Sequence, residues 1–88
     1  MRNKYVIFNM GGLETPVLFP ETQNHSDIAR AMLADPISAG FWRVEAVDNY
    51  QIKYHAYGES YTLNMKSREV DSDILNQWFN STTDMRHI

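Results

Sequence analysis

The 88-residue sequence contains no cysteine, and it has only three prolines and four glycines. The absence of cysteine excludes disulfides, thiolate zinc sites, iron–sulfur clusters and a cysteine nucleophile. The hydrophobic core alone must therefore hold the fold together. A chain of this length can bury one small core and has no room for a second domain.

An excess of basic charge is also missing. Eight Lys and Arg residues stand against eleven Asp and Glu residues, giving a net charge of −3. Non-specific binding to nucleic acid and attraction to anionic membranes both depend on positive charge. No apolar run is long enough for a signal peptide or a membrane span. We therefore expect a cytoplasmic protein with no membrane partner, and nucleic acid is a disfavoured ligand.

Apolar residues make up 43% of the chain and charged residues 22%, a mixture typical of globular domains. Two β-branched and aromatic runs, residues 4–9 and 15–19, flank a Gly11-Gly12 turn and predict a β-hairpin. Pro16 cannot donate a ladder hydrogen bond, so we expect it at the start of the second strand or on an outward-facing edge.

Two helices are predicted from apolar spacing and capping residues. The first follows the cap candidates Asn24 and Ser26 and ends before residue 35, because a residue preceding proline is disfavoured in a helix. In the second, Asp71-Ser72-Asp73 provides a cap and acidic residues in the first turn. The buried stripes are predicted to consist of Ile28, Ala31, Met32 and Leu33 in the first helix and of Ile74, Leu75, Trp78 and Phe79 in the second.

Three alternating segments between the helices, residues 38–47, 50–57 and 60–65, predict an antiparallel meander. The resulting order, ββαβββα, predicts an α+β domain with a mostly antiparallel sheet and both helices packed on one face. We assign residues 1–80 to this single domain. Residues 81–88 lack periodicity and are predicted to form a flexible tail.

Candidate catalytic and metal-binding groups are sparse. His25, His55 and His87 show no metal-ligand spacing, and we predict capping or solvent-facing roles for histidine here. The run His25-Ser26-Asp27 contains the residue types of a triad, but adjacent residues entering a helix point in different directions. His55 with Glu59 is the remaining enzyme-like pair in the sequence. We predict no enzyme activity, cofactor, metal or small-molecule ligand.

The aromatic content is the more informative feature, with five Tyr, four Phe and two Trp. Cross-strand pairing within the sheet would explain it, and so would an aromatic surface for another protein, since Tyr and Trp are enriched at interface hot spots. If both helices cover one sheet face, the other face is available. The predicted contact residues are Trp42, Arg43, Lys53, Tyr54, Tyr57, Glu59 and Tyr61.

Three short motifs, Ser38-Ala39-Gly40-Phe41, Tyr57-Gly58-Glu59-Ser60 and residues 67–71, are similar to a pattern in a family of small bacterial and phage proteins without an assigned activity. The resemblance covers about residues 36–79. It implies a bacterial or phage source and special backbone or capping roles for Gly40, Gly58 and Ser67. It implies no catalytic residue.

These observations predict a non-enzymatic, accessory or inhibitory protein-binding domain that acts through an aromatic sheet surface or a sheet edge. The expected partner is another protein or a second copy of the chain. The alternative is a nucleic-acid-directed protein, either a weak single-strand binder or an acidic mimic of DNA.

Overall fold

The computed structural model describes residues 2–48 and 51–84. These residues form an α+β fold, which confirms the predicted class. The elements in chain order are β1 (Asn3–Met10), β2 (Leu13–Phe19), α1 (His25–Met32), β3 (Asp35–Asp48), β4 (Gln51–Tyr57), β5 (Glu59–Ser60), β6 (Met65–Lys66) and α2 (Asp71–Asp84).

The main sheet is antiparallel with the strand order β2-β1-β3-β4. The predicted hairpin is confirmed: β1 and β2 pair from Lys4–Phe19 to Met10–Leu13 around the two-glycine turn. A two-residue turn is closed by a hydrogen-bonded pair, and such pairs alternate along the ladder. Pro16 pairs with Ile7, three positions from the pair that closes the turn, so this pair is not hydrogen-bonded. The position of the missing Pro16 N–H therefore faces the outer side of edge strand β2, as expected.

The helices lie on opposite faces of this sheet, so the prediction that both pack on one face is wrong. Tyr5 and Ile7 of β1 form a cluster with Leu75 of α2, whereas Val6 and Phe8 of β1 form a separate cluster with residues of α1. All four of these consecutive β1 residues are fully buried. Alternate side chains point to opposite faces, so both faces of β1 need cover.

The α1 face is covered by one short helix and a small hairpin. His25, Ile28, Ala29 and Met32 point inward, at the i, i+3, i+4 and i+7 positions of a helical stripe. The predicted stripe was therefore wrong in part. Ala31 is exposed, and Leu33 is 93% exposed because the helix ends at Met32 and Leu33 adopts a left-handed conformation with φ 53°.

The α2 face is covered by the second helix, whose predicted stripe is confirmed. Leu75 is fully buried, and Ile74 and Phe79 pack around the same cluster. The indole Nε1 of Trp78 donates a 3.1 Å hydrogen bond to the carbonyl oxygen of Glu14. The helix continues through Asp84, so four residues of the predicted tail are helical, and residues 85–88 lie outside the described residues.

The third strand of the predicted meander does not join the main sheet. The chain instead forms the two-residue strands β5 and β6, which pair with each other around a turn at residues 61–64. Gly58 precedes this hairpin with φ 78°, and a Cβ there would lie 2.8 Å from the Phe41 ring. The alternation in this segment resembled a strand, but the left-handed Asn64, at φ 54°, sits in a turn.

Candidate protein-interaction site

The seven predicted contact residues fall into separate places in the fold. Trp42 and Tyr54 pack against the core beneath α2, with their ring centroids 5.5 Å apart and Tyr54 5.5 Å from Phe79. Cross-strand and helix packing thus explains these two aromatic residues. Together with the cover on both faces, this corrects the expectation of a free aromatic sheet face.

Three of the other contact candidates lie on or beyond the α1 face. Tyr57 is half-buried, stacked on His55 at 6.0 Å and 5.9 Å from Phe41. Tyr61 is 87% exposed in the turn between β5 and β6, and Glu59 is exposed at the start of β5. These residues do not form a continuous aromatic surface with Trp42 or Tyr54.

Glu59 and Tyr61 line an open depression of about 300 Å³ around Phe41. Two basic side chains and two acidic ones, Arg2, Lys4, Glu21 and Glu59, share this lining. Arg2 lies 4.0 Å above the Phe41 ring, and Lys4 Nζ donates a 2.8 Å hydrogen bond to the Gln23 carbonyl. The charges are balanced, and Arg2, Lys4 and Glu21 make contacts within the chain, so the depression favours neither an anionic nor a cationic ligand.

His25 lies at the bottom of this region and is buried, which contradicts the predicted solvent-facing or capping role. Its imidazole sits edge-on between Phe19 and Phe41, at 5.3 and 5.8 Å, and Nε2 is 2.8 Å from the Gly40 carbonyl oxygen. Burial lowers the pKa of His25, with a smaller lowering from Lys4, against the opposing effect of the Gly40 hydrogen bond. The residue is a packing element of the core.

The His55–Glu59 pair is not brought together in one cleft. His55 Nδ1 lies 3.8 Å from Glu45 Oε2, and the ring stacks on Tyr57. Glu59 lines the depression around Phe41, whereas His55 lines a separate, shallower one beside Arg68. A general base and its carboxylate partner must lie within hydrogen-bond distance, and this geometry does not provide that.

A buried polar network links β1 to the start of α2. Asp71 is fully buried and accepts hydrogen bonds from Tyr5 Oη at 2.6 Å, Arg68 N at 3.0 Å and Arg68 Nε at 2.9 Å. Arg68 also donates to Glu14 at 2.6 Å. Burial, reinforced by Asp71, raises the pKa of Tyr5, and the two carboxylates raise the pKa of Arg68 against its own desolvation. These groups are all engaged with one another, so the network is structural.

Arg43 and Lys53, the last two candidates, lie on the outer half of the β3–β4 hairpin. We call this part the ribbon, residues 43–48 of β3 and 51–53 of β4. Pairing between β1 and β3 starts at Asn3–Trp42, so β3 runs six residues beyond β1. Arg2 N donates to Glu21 Oε2 at 2.9 Å and makes no ladder hydrogen bond to β3.

One face of the ribbon is apolar and exposed. Val44 pairs with Tyr54, and Val47 pairs with Ile52, which places both valines on the α2 face of the hairpin. Glu45 is the extra residue of a β-bulge, so valines three positions apart share a face. Val44 is 46% exposed, Val47 73% and Ile52 38%.

The two valines also share a free edge. The amides of Tyr54 and Ala56 are bound by α2 and point away from β3, so Val44, opposite Tyr54, directs its own N–H and C=O away from β4. Asp48–Gln51 closes a two-residue connection and is therefore a hydrogen-bonded pair. Val47 is one position further from the connection, so its pair with Ile52 is not hydrogen-bonded. The N–H and C=O of Val47 therefore point away from β4, as those of Val44 do.

The other long edges of the sheet are protected at several positions. On β2, Pro16 lacks an outward N–H, and Trp78 binds the outward carbonyl of Glu14. On β4, Asn76 Oδ1 accepts from Tyr54 N at 2.7 Å, and Asn76 Nδ2 donates to Tyr54 O at 3.0 Å. Folded proteins commonly protect edges in such ways. Within residues 2–48 and 51–84, the β3 edge from Arg43 onward has no such protection.

Sequence reasoning missed three exposed aliphatic residues of the ribbon, Val44, Val47 and Ile52. A signal was present in the length of the segments. The strand run over residues 38–47 is longer than the β1 run over residues 4–9, so its end must project beyond a neighbour of that length.

Comparisons of this chain with models of known protein families, with curated proteins and with solved structures find no match. The resemblance over residues 36–79 therefore stays a prediction. Among the described residues, no helix has the length and apolar character needed to cross a membrane, and no group of three His, Asp or Glu residues is placed to hold a metal.

Proposed function

We propose that this protein is a non-enzymatic protein-binding domain and that the ribbon is its binding site. The observation that carries this proposal is the unpaired β3 edge with Val44 and Val47 exposed beside it. Strand addition to a free edge obtains affinity from main-chain hydrogen bonds, and side chains next to the edge provide specificity. The expected partner contributes an extended segment.

The energetic balance of the ribbon supports this proposal. A two-stranded ribbon with one uncovered apolar face is only marginally stable by itself, and it gains from a third strand or a covering surface. Exposed aliphatic groups on a sheet edge also promote aggregation unless a partner binds there. A retained edge of this kind is therefore better explained by a binding role than by folding.

The experiment is affinity capture from the source cells, with the full chain as bait and Val47→Lys as the test variant. A lysine on the apolar face disfavours docking of an apolar surface. Leu33→Lys is the matched control, because Leu33 is 93% exposed at the end of α1, outside the ribbon. A captured protein is then purified, and its dissociation constant is measured against all three baits.

We expect Val47→Lys to weaken binding of the purified partner at least about tenfold, equivalent to 1.4 kcal/mol, and Leu33→Lys to leave it unchanged. Equal binding by both variants contradicts the proposal. Binding that falls steeply with salt and is competed by single-stranded nucleic acid would favour the alternative function instead.

A further inference from the structure

The open edge of β3 determines where an added strand places its side chains. Val44 and Val47 both direct their N–H and C=O groups away from β4, so an antiparallel segment hydrogen-bonds through the residues that face these two valines. The bulge at Glu45 sets two β3 residues against one. A single residue of the added segment therefore separates the two residues that face Val44 and Val47.

The two residues that face the valines lie in an apolar environment. Facing residues in a ladder have their side chains on the same face of the sheet. Both side chains of the added segment therefore lie on the α2 face, beside the exposed Val44, Val47 and Ile52. Apolar residues at these two positions cover the aliphatic surface that the ribbon leaves in contact with water.

The α1 face of the ribbon carries two charges next to the open edge. Arg43 pairs with His55, whose ring stacks on Tyr57 of the same face. The Glu45 carboxylate lies 3.8 Å from His55 Nδ1 and so belongs to this face as well. Both charged residues are exposed, and among the side chains that the structure describes Arg43 forms no ion pair. An added strand thus meets a positive charge at Arg43 and a negative charge at Glu45.

Lys53 lies on the same face but contributes less, because it is on β4. An added strand is two strand spacings from β4, about 9–10 Å. Charges exposed to solvent are largely screened beyond about 8 Å at physiological ionic strength. The added strand therefore interacts mainly with Arg43 and Glu45.

We infer that the partner segment runs antiparallel to β3 and carries, in order from its N-terminus, an apolar, a basic, an apolar and an acidic residue. The basic residue faces Glu45, and the acidic residue faces Arg43. Opposite charges across a ladder stabilise the pairing, whereas like charges destabilise it. This inference rests on the proposed function, because it describes the partner of the same edge.

The β1 strand limits the length of the segment. Trp42 already pairs with Asn3, so the added strand ends opposite Arg43 or leaves the sheet there. At its other end, beyond Val47, the segment can continue past the tip of the ribbon. The acidic residue is therefore the last residue of the partner in the ladder.

Two synthetic peptides of identical composition test the order of the charges. The first is acetyl-Thr-Thr-Val-Lys-Val-Glu-amide, and the second is acetyl-Thr-Thr-Val-Glu-Val-Lys-amide. Each peptide has no net charge, so the net charge of −3 on the protein affects the two equally. Each is titrated into the isotopically labelled full chain, and nuclear magnetic resonance follows the amides of Val44 and Val47.

We expect the first peptide to bind at least about fivefold more tightly than the second, because two opposite-charge pairs replace two like-charge pairs. Hydrogen exchange of the Val44 and Val47 amides should slow in its presence, since both amides donate to the peptide. The double variant Arg43→Glu with Glu45→Lys should reverse the preference and bind the second peptide more tightly.

The matched control is the double variant Lys66→Glu with Glu69→Lys, which reverses the same two kinds of charge at exposed positions outside the ribbon. It should keep the wild-type preference. The comparison of the two peptides on the wild type requires no substitution, so it decides the question even if a reversed protein fails to fold. Equal binding of the two peptides, or binding of neither, overturns the inference.

The outcomes also separate this inference from the proposed function. Changes at Val44 and Val47 when the protein alone is concentrated would identify a second copy as the occupant and overturn the inferred segment. A captured partner whose binding Val47→Lys weakens keeps the ribbon as the binding site, even when the two peptides bind equally. A captured partner that binds Val47→Lys as tightly as the wild type, together with no peptide binding at the edge, rejects both proposals.

Discussion

The hydroxyl of Tyr5 donates a 2.6 Å hydrogen bond to Oδ2 of Asp71, a residue 66 positions later in the chain, and both side chains are fully buried. This contact connects the central strand β1 to the first residue of α2. It fixes where the helix begins to cross the sheet, because Asp71 also accepts two hydrogen bonds from Arg68.

The variant Tyr5→Phe removes the hydroxyl while keeping the ring. The buried Asp71 carboxylate then loses one donor, and hydrogen bonds to charged groups contribute about 1.5–3 kcal/mol. We expect the free energy of unfolding, measured with urea, to fall by that amount. Tyr61→Phe, at an 87% exposed position, serves as the control and should change it by less than about 0.5 kcal/mol. Equal effects of the two substitutions would show that the Tyr5–Asp71 bond contributes nothing.

His25 should make the fold sensitive to mild acid. Burial lowers its pKa in the folded chain, whereas the unfolded chain takes up the proton near pH 6.5. Below that pH the unfolded state binds more protons than the folded state. The stability contributed by neutral His25 is therefore complete above pH 6.5 and is lost as the pH falls from there through the folded-state pKa. The slope is at most about 1.4 kcal/mol per pH unit.

The measurement is urea unfolding between pH 7 and pH 5 for three proteins. His25→Gln can keep a donor toward the Gly40 carbonyl but cannot take up the proton, so it should show a shallower pH slope than the wild type. His55→Gln, at a half-exposed site, is the matched control for replacing a histidine by glutamine. A His25→Gln slope as steep as that of the wild type would mean that other groups cause the acid sensitivity.

Gly40 is predicted to tolerate no side chain. A Cβ at this position would lie 2.5 Å from the carbonyl oxygen of Tyr57 and 3.3 Å from the Tyr5 ring, so the β3–β4 ladder would have to shift. We expect Gly40→Ala to lower the free energy of unfolding by about 1–3 kcal/mol. Ala31→Ser adds one atom at an exposed helix position and should be nearly neutral. A Gly40→Ala protein as stable as the wild type would argue against this close approach.

Asn76 acts toward β4 as a neighbouring strand would, offering one acceptor and one donor to Tyr54. Asn76→Leu leaves both backbone groups without these partners, and we expect a loss of about 1–3 kcal/mol. Hydrogen exchange of the Tyr54 amide should also accelerate. Gln77→Leu, at an exposed position of the same helix, controls for the change in helix composition. Unchanged exchange at Tyr54 in Asn76→Leu would contradict the protective role.

Local patterns in the sequence predicted most of the elements but not their arrangement around the sheet. The two-glycine turn, the edge position of Pro16 and the stripe of α2 follow from short-range chemistry, and the structure confirms them. The placement of helices on two faces depends on long-range packing. Its signal was the unbroken run Tyr5-Val6-Ile7-Phe8, since a strand with one solvated face would alternate polar and apolar residues.

The errors near the candidate site have physical causes. His25 continues the inward stripe of α1 by one turn, and an imidazole can be buried when a backbone carbonyl accepts its N–H. Tyr61 followed a strand-like alternation, yet the left-handed Asn64 sits in a turn. The bulge at Glu45, which aligns Val44 with Val47, depends on how β3 pairs with β4 and has no signature in β3 alone.

The order of the strands in the sheet has a consequence for synthesis on the ribosome. The α2 face of β1 is covered by Leu75 and Asp71, which emerge long after Tyr5 and Ile7 have left the exit tunnel. At about 5–20 residues per second, the nascent chain spends several seconds with those side chains uncovered. The early hairpin therefore keeps an apolar face exposed to solvent until α2 packs against it.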